Sequence, residues 1–163
     1  MPDDPTGTAP GSSARSEPEG DPTTWEPEVE QLDEAECWRL ISAGGVGRLA
    51  YSGRFGLTVL PAIYKVHEGI IVFRIALGSP TDEDLRTGIR GAEYRVAVEI
   101  DEVGKDAQEG WFVFIQGAAH HLDSDDDRAS VAASGVQPWA AGTREHFVRI
   151  TPTLITGRRI RQH

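Results

Sequence analysis

The stretch LTVLPAIYKVHEGIIVFRI, residues 57–75, contains two runs rich in Val, Ile and aromatic residues on either side of His67-Glu68-Gly69. Runs of this composition read as β-strands, and so short a glycine-containing connection reads as a tight hairpin. Proline interrupts the first run at Pro61. It has no amide proton to give to a ladder, so this strand is expected to lie at an edge or to bulge there, leaving neighbouring backbone groups free. Working outward, Val46–Tyr51, Tyr94–Ile100, Trp111–Leu122, His146–Ile150 and Leu154–Ile160 carry the same signature, each bounded by Gly, Asp, Pro or Ser.

Three helices are expected among the strands. Asp33 with Glu36 three residues later forms a capping box, Ala35, Cys37, Trp38, Leu40 and Ile41 give an apolar stripe, and Gly44-Gly45 ends the turn, which predicts a helix over 33–43. The other two are Thr81–Arg90, after Pro80, and Ser124–Ala133, whose opening Asp125, Asp126 and Asp127 favour a helix N-terminus. Six or seven strands with short helices at the ends suggest a mainly β fold, a closed and mostly antiparallel barrel.

The 163 residues carry a net charge of -10, unevenly distributed. Residues 1–30 hold eight acids against one base, Arg15, whereas residues 31–163 hold 18 acids against 15 bases. Six of the ten prolines fall before residue 28. Such a segment buries too little apolar surface to offset its ordering entropy, so residues 1–30 are expected to be a disordered acidic tail, with Trp25 its one adhesive residue, and residues 31–163 the folded domain. No concentrated basic face suggests nucleic-acid binding, and no apolar run reaches the roughly 18 residues of a membrane span. With no secretory signal and a single cysteine, Cys37, a cytoplasmic location is expected.

Some residues point to chemistry. Arg74 ends an apolar strand just before Gly78-Ser79, where a guanidinium, turn amides and the hydroxyls of Ser79 and Thr81 can hold a phosphate. The alternative is an ordinary ion pair of Arg74 with Asp82, Glu83 or Asp84. Trp111 and Trp139 either fill the core or stack on a ligand. On a C-terminal strand Arg159 and Arg161 share one face, while Arg158 and Ile160 take the other. His120 and His121 point to opposite faces and make no chelate by themselves, so no metal is expected. Nucleophile-elbow, dinucleotide-fingerprint and P-loop patterns are absent from the chain.

Taken in order, Leu32–Ser42, Gly44–Ala50, Pro61–Tyr64, Ile71–Arg74 with Gly78-Ser79, Val96–Asp101, Gly110–Gly117, Pro138–Gly142 and Ile155–Ile160 resemble the pyridoxamine 5′-phosphate oxidase-like, FMN-binding split barrels. The resemblance implies a six- to seven-stranded antiparallel split β-barrel that forms a homodimer with its cofactor, FMN or alternatively the deazaflavin F420, at the interface. It further implies that Pro61, Ile63 and Tyr64 line the ring and that Arg74, Ser79 and Thr81 hold the phosphate. Trp111, Trp139 and Arg158 approach from the partner or close the pocket. The activity implied is a flavin-dependent oxidoreductase acting on an unknown small organic substrate. No side-chain general base is assigned, Tyr64 and His120 being the residues considered. The alternatives are non-catalytic binding of a flavin, F420 or haem, and an interaction protein with a vestigial pocket. The chain departs from the family pattern at Ile75, where Thr is common, at Pro80-Thr81-Asp82, where Lys often follows the Ser, and at Phe112, where a small hydroxyl residue is common.

Overall fold

A computed structural model describes residues 28–86, 93–105, 109–122, 124–133 and 145–161. Its elements in chain order are β1 (Glu28–Leu32), α1 (Glu34–Ile41), β2 (Gly45–Gly53), β3 (Gly56–His67), β4 (Ile70–Ala76), α2 (Pro80–Asp84), β5 (Tyr94–Val103), β6 (Gly110–His121), α3 (Asp125–Ala133) and β7 (Glu145–Arg161). The strands run in the order β1-β7-β4-β3-β2-β5-β6, and β6 pairs back onto β7, all antiparallel. Six strands therefore close a barrel, and β1 is added outside the ring on β7. This is the expected split barrel.

The hairpin expected at 67–69 is present. Glu68 (φ 50) and Gly69 (φ 76) both take left-handed backbone, as a two-residue turn matched to strand twist requires, and His67 pairs with Ile70. After four residue pairs, ending at Tyr64 with Phe73, the two strands part. β4 continues on β7 as far as Ala76, while β3 from Gly56 to Ile63 pairs, among the described residues, with β2 alone. Pro61 thus sits on a strand edge, and the fork between β3 and β4 is the split in the barrel.

Alternation divides each strand between two faces. Leu49, Tyr64, Ile71, Phe73, Val98, Ile100, Val113, Ile115, Val148 and Ile150 point inward and form the core. Val72 and Leu122 make a smaller cluster with Ile70 and Phe147 on the outside of β4 and β7. α1 closes one end of the barrel. Asp33 caps it by accepting from the Glu36 amide at 2.8 Å, and Cys37 and Ile41 are its buried residues. α2 closes the other end, where the Tyr51 hydroxyl donates to Thr81 Oγ1 at 3.0 Å and Arg54 pairs with Glu83 (2.8 Å) and Asp84 (2.6 Å).

Four expectations are corrected. Residues 28–30, assigned to the tail, belong to β1, which pairs with β7 along all five residues, buries Leu32 and sets Glu30 against Arg159 and Arg161. The two C-terminal strands are one, because an irregularity at Gln116/Gly117 on β6 absorbs Pro152 without ending the ladder. The helix expected to start at Ser124 begins at Asp125. The helix expected over Thr81–Arg90 spans only Pro80–Asp84, and residues 87–90 lie outside those described. No helix among the described residues is long and apolar enough to cross a membrane.

α1 approaches β7 closely at Gly157, where an added Cβ would stand 2.7 Å from Cys37 Sγ and 3.1 Å from the Phe112 carbonyl. Gly157→Ala is expected to cost about 1–3 kcal/mol by forcing apart a packed core. Urea denaturation measures the loss, and truncating Cys37 to Ala in the same chain should recover part of it.

Candidate functional site

The outer surface over β2, β3, β5 and β6 contains a trough of about 430 Å³. Its origin lies in side-chain size. One cross-strand row reads Val59, Ala50, Ala97, Gln116, Leu154, so two methyl groups form the floor and longer side chains form the walls. Ser52, Leu57 and Arg95 extend the lining toward the α2 end. The rim is apolar and solvent-facing: Leu57 is 91% and Val59 65% exposed, and Phe114 and Leu154 lie on the same face. In the adjoining row Arg48 pairs with Glu99 at 2.8 Å and with Asp101.

The fork adjoins this trough along β3. Pro61 and Ile63 face outward on β3, and Arg74 occupies the outward-facing side of β4 with Val72, opposite the core side of Ile71, Phe73 and Ile75. Had the β3–β4 ladder gone one step further, Ile63 and Arg74 would have been partners. The fork therefore sets Arg74, only 9% exposed, across from a β3 edge that has no strand partner among the described residues. Tyr64 departs from the expected arrangement. Its side chain enters the core and its hydroxyl donates to the Ile41 carbonyl at 3.0 Å, and burial pushes the phenol up to about 12. Tyr64 therefore faces the core side of β3, opposite to the outward side of Pro61 and Ile63.

The Gly78-Ser79 turn differs from the expected phosphate cradle. Gly78 N–H donates to Asp82 Oδ2 at 2.8 Å, Ser79 N–H to the Ala76 carbonyl at 3.1 Å, Asp82 N–H to Ser79 Oγ at 3.1 Å and Glu83 N–H to the Ser79 carbonyl at 3.0 Å. Pro80 has no amide proton. The carboxylate of Asp82 thus fills the anion's place in the turn, leaving the Ser79 hydroxyl proton and the Thr81 amide as donors. Thr81 Oγ1 already accepts from Tyr51. The ion pairs considered for Arg74 are occupied differently: Glu83 and Asp84 face Arg54, and Asp82 faces His121, His146 and Arg86.

Trp111 and Arg158 lie at the α1 end of the barrel, away from the fork of the same chain. Trp111 packs against the core beside Arg159, and Arg158 is exposed, level with Phe112. Arg159 and Arg161 share a face as expected. Arg159 reaches Glu36, whose carboxyl is held down at about 2 by Arg39 and Arg159. Trp139 and Trp25 lie outside the described residues.

Sequence reading missed the Ala50 and Ala97 floor, although small residues at outward strand positions were its signal. It also missed the convergence of His121 and His146 on Asp82, which joins three separate elements.

A six-stranded barrel split beside an outward arginine, with an apolar trough on the same face, defines a split barrel. The family model for pyridoxamine 5′-phosphate oxidase matches residues 33–159, and the chain belongs to that family. It is similar to an uncharacterized protein of Mycobacterium tuberculosis, 27% identical over 133 residues, covering 82% of this chain and 86% of that one. Among solved structures it resembles the FAD binding protein from Mycobacterium smegmatis (27% identity, TM-score 0.66, 81% of this chain and all of that one). It also resembles a FAD-binding protein from Mesorhizobium loti (25% identity, TM-score 0.64, 83% of this chain and 98% of that one).

Asp82 gives a test in acid. Burial alone raises its carboxyl, but the Gly78 amide and His121 outweigh that and hold it below the usual aspartate value. A lowered carboxyl stabilises the fold above the unfolded value near 3.9 and loses that stability as pH falls through the lower folded value. Asp82→Asn is expected to cost about 1–3 kcal/mol at neutral pH and to flatten stability below about pH 5. Urea midpoints across pH 2–7 read both effects.

Proposed function

We propose that this protein binds a flavin at the fork, in the interface of a homodimer, and acts as a flavin-dependent oxidoreductase on a small organic substrate. The observation that carries the reading is Arg74 standing across the open β3 edge from Pro61 and Ile63, on the face that also holds the trough. The residues fit the group. The β3 edge along 57–63, without a strand partner among the described residues, suits the polar edge of a flat heterocycle, apolar side chains suit its faces, and the largely buried Arg74 suits an anionic tail. The exposed apolar rim of Leu57, Val59 and Leu154 supports a second copy of the chain as its cover.

A bound flavin supplies hydride and electron transfer. The chain's own part is to orient the ring against the β3 edge, to neutralise the anionic tail with Arg74, and to exclude water from one ring face. In the proposed dimer, Trp111 and Arg158 of one protomer act at the site of the other.

FMN is the cofactor first expected from the family. FAD is the second reading, favoured by the turn at Gly78-Ser79. A terminal phosphate monoester is a dianion that needs several donors, and this turn has turned its amides inward onto Asp82 and its own carbonyls. Each phosphate of a pyrophosphate bears a single charge and needs fewer. The two similar solved proteins named above are FAD binders.

Titration of the purified full chain with FMN, FAD and F420, followed by absorption and fluorescence, tests this reading. Sedimentation on the same samples reports the dimer. Tighter binding of FAD than of FMN favours the second reading, and Arg74→Ala is expected to weaken binding about ten- to a hundredfold. If none of the three perturbs its free spectrum at about 50 µM, which corresponds to roughly 6 kcal/mol of binding, the proposal is overturned.

A further inference from the structure

Beneath α2, at the end of the barrel away from α1, four side chains from α2, its C-terminal edge, β6 and β7 converge. Asp82 is the centre, with only 2% of its surface exposed. Its Oδ2 is fixed by the Gly78 amide, which leaves Oδ1 for the cluster. Oδ1 lies 2.9 Å from His121 Nε2, 3.4 Å from His146 Nδ1 and 3.3 Å from Arg86 Nη2. One carboxylate oxygen and two ring nitrogens therefore lie within 4.8 Å of one another. In a tetrahedral zinc site with bonds of about 2.0–2.2 Å, ligand atoms stand about 3.3–3.5 Å apart. The 3.4 Å separation falls in that range and the 2.9 Å one is a hydrogen-bond distance that a bound ion would open by about 0.4 Å, and the imidazole planes cross at 72° rather than stack.

The Arg86 contact identifies which atoms present lone pairs. A guanidinium has only donors, so its close contact with His146 Nδ1 makes that nitrogen an acceptor. The cluster already aims a carboxylate oxygen and an imidazole lone pair at one cation. Of the four side chains, Arg86 is the most exposed and sits at the outer edge, whereas Asp82, His121 and His146 are held in the fold.

We propose that Asp82, His121 and His146 form a binding site for a zinc-type divalent cation, with the Arg86 guanidinium as the ion's intramolecular competitor. Two imidazoles and one carboxylate select this class over calcium or magnesium, which prefer oxygen ligands alone. The Gly78 amide holds the carboxylate in orientation as outer partners do in metal sites. Water takes the fourth position on the side Arg86 leaves. Because the ligands come from α2, β6 and β7, the ion would tie the end cap to two barrel strands. No step of the flavin reading depends on it.

The test is calorimetric titration of the untagged, chelator-treated full chain with Zn²⁺, and of a second sample with Co²⁺ followed by visible absorption. One ion per chain and the intense bands of four-coordinate Co²⁺ are expected. His121→Ala and His146→Ala should each weaken uptake by more than about a hundredfold. Arg86→Ala should tighten it about ten- to a hundredfold, since it removes a charge-assisted competitor. Circular dichroism identifies any variant that fails to fold, and Arg86→Ala, which leaves all three ligands intact, then decides. Uptake that survives both histidine substitutions, no saturable uptake below about 100 µM in either the parent chain or Arg86→Ala, or Arg86→Ala binding no tighter than the parent, overturns the proposal.

Discussion

The architecture depends on the length of β7. At roughly 3.3 Å per residue its 17 residues would extend about 55 Å, further than any neighbour can follow. It therefore changes partners along one side. β4 pairs with its first residues and β1 with its last, while β6 runs along nearly the whole of the other side. A strand so committed draws β4 with it as β4 leaves β3 beyond Phe73. The split follows from that divergence, and the stretch of β3 that has no second strand partner among the described residues is the stretch that faces Arg74.

The two ends of the barrel are closed by different physics. At the α1 end closure is apolar and tight, with Cys37 pressed against a position that tolerates only glycine and charged residues confined to the rim. The α2 end is polar. A helix of five residues buries almost no apolar surface, so it is fastened by Tyr51 to Thr81, Arg54 to Glu83 and Asp84, and Asp82 to the histidines. The same economy of apolar contact explains why the chemistry-bearing groups collect there. It also explains why the turn amides bind a carboxylate of their own chain.

Most of the fold was legible in the residues. The Asp33–Glu36 capping pair placed α1, the Val- and Ile-rich runs placed five strands, and Glu68-Gly69 placed the hairpin. β1 escaped because four of its five residues are exposed and three are charged or polar beyond any alternation; its partner charges on Arg159 and Arg161 lie some 130 positions away. Pro152 disguised β7 as two strands because a missing amide usually ends a ladder, whereas an irregularity opposite Gly117 accommodates it. At the site, Arg74 and the β3 edge could be inferred, since proline and an isolated cation on an apolar strand are local signals. The meeting of Asp82 with His121 and His146 could not, because it depends on how far β6 and β7 run before reaching α2.

An unpaired β-strand edge is also a template on which a stray chain can assemble, and the segment 56–63 is bordered by Leu57 and Val59. Pro61 interrupts that template in the middle. A strand added along the edge would lose a donor at Pro61 and meet the pyrrolidine ring instead, so runaway intermolecular pairing stops after a few residues. The same residue thus keeps the edge open to a compact guest while guarding a barrel with an opened seam against fibrillar self-association.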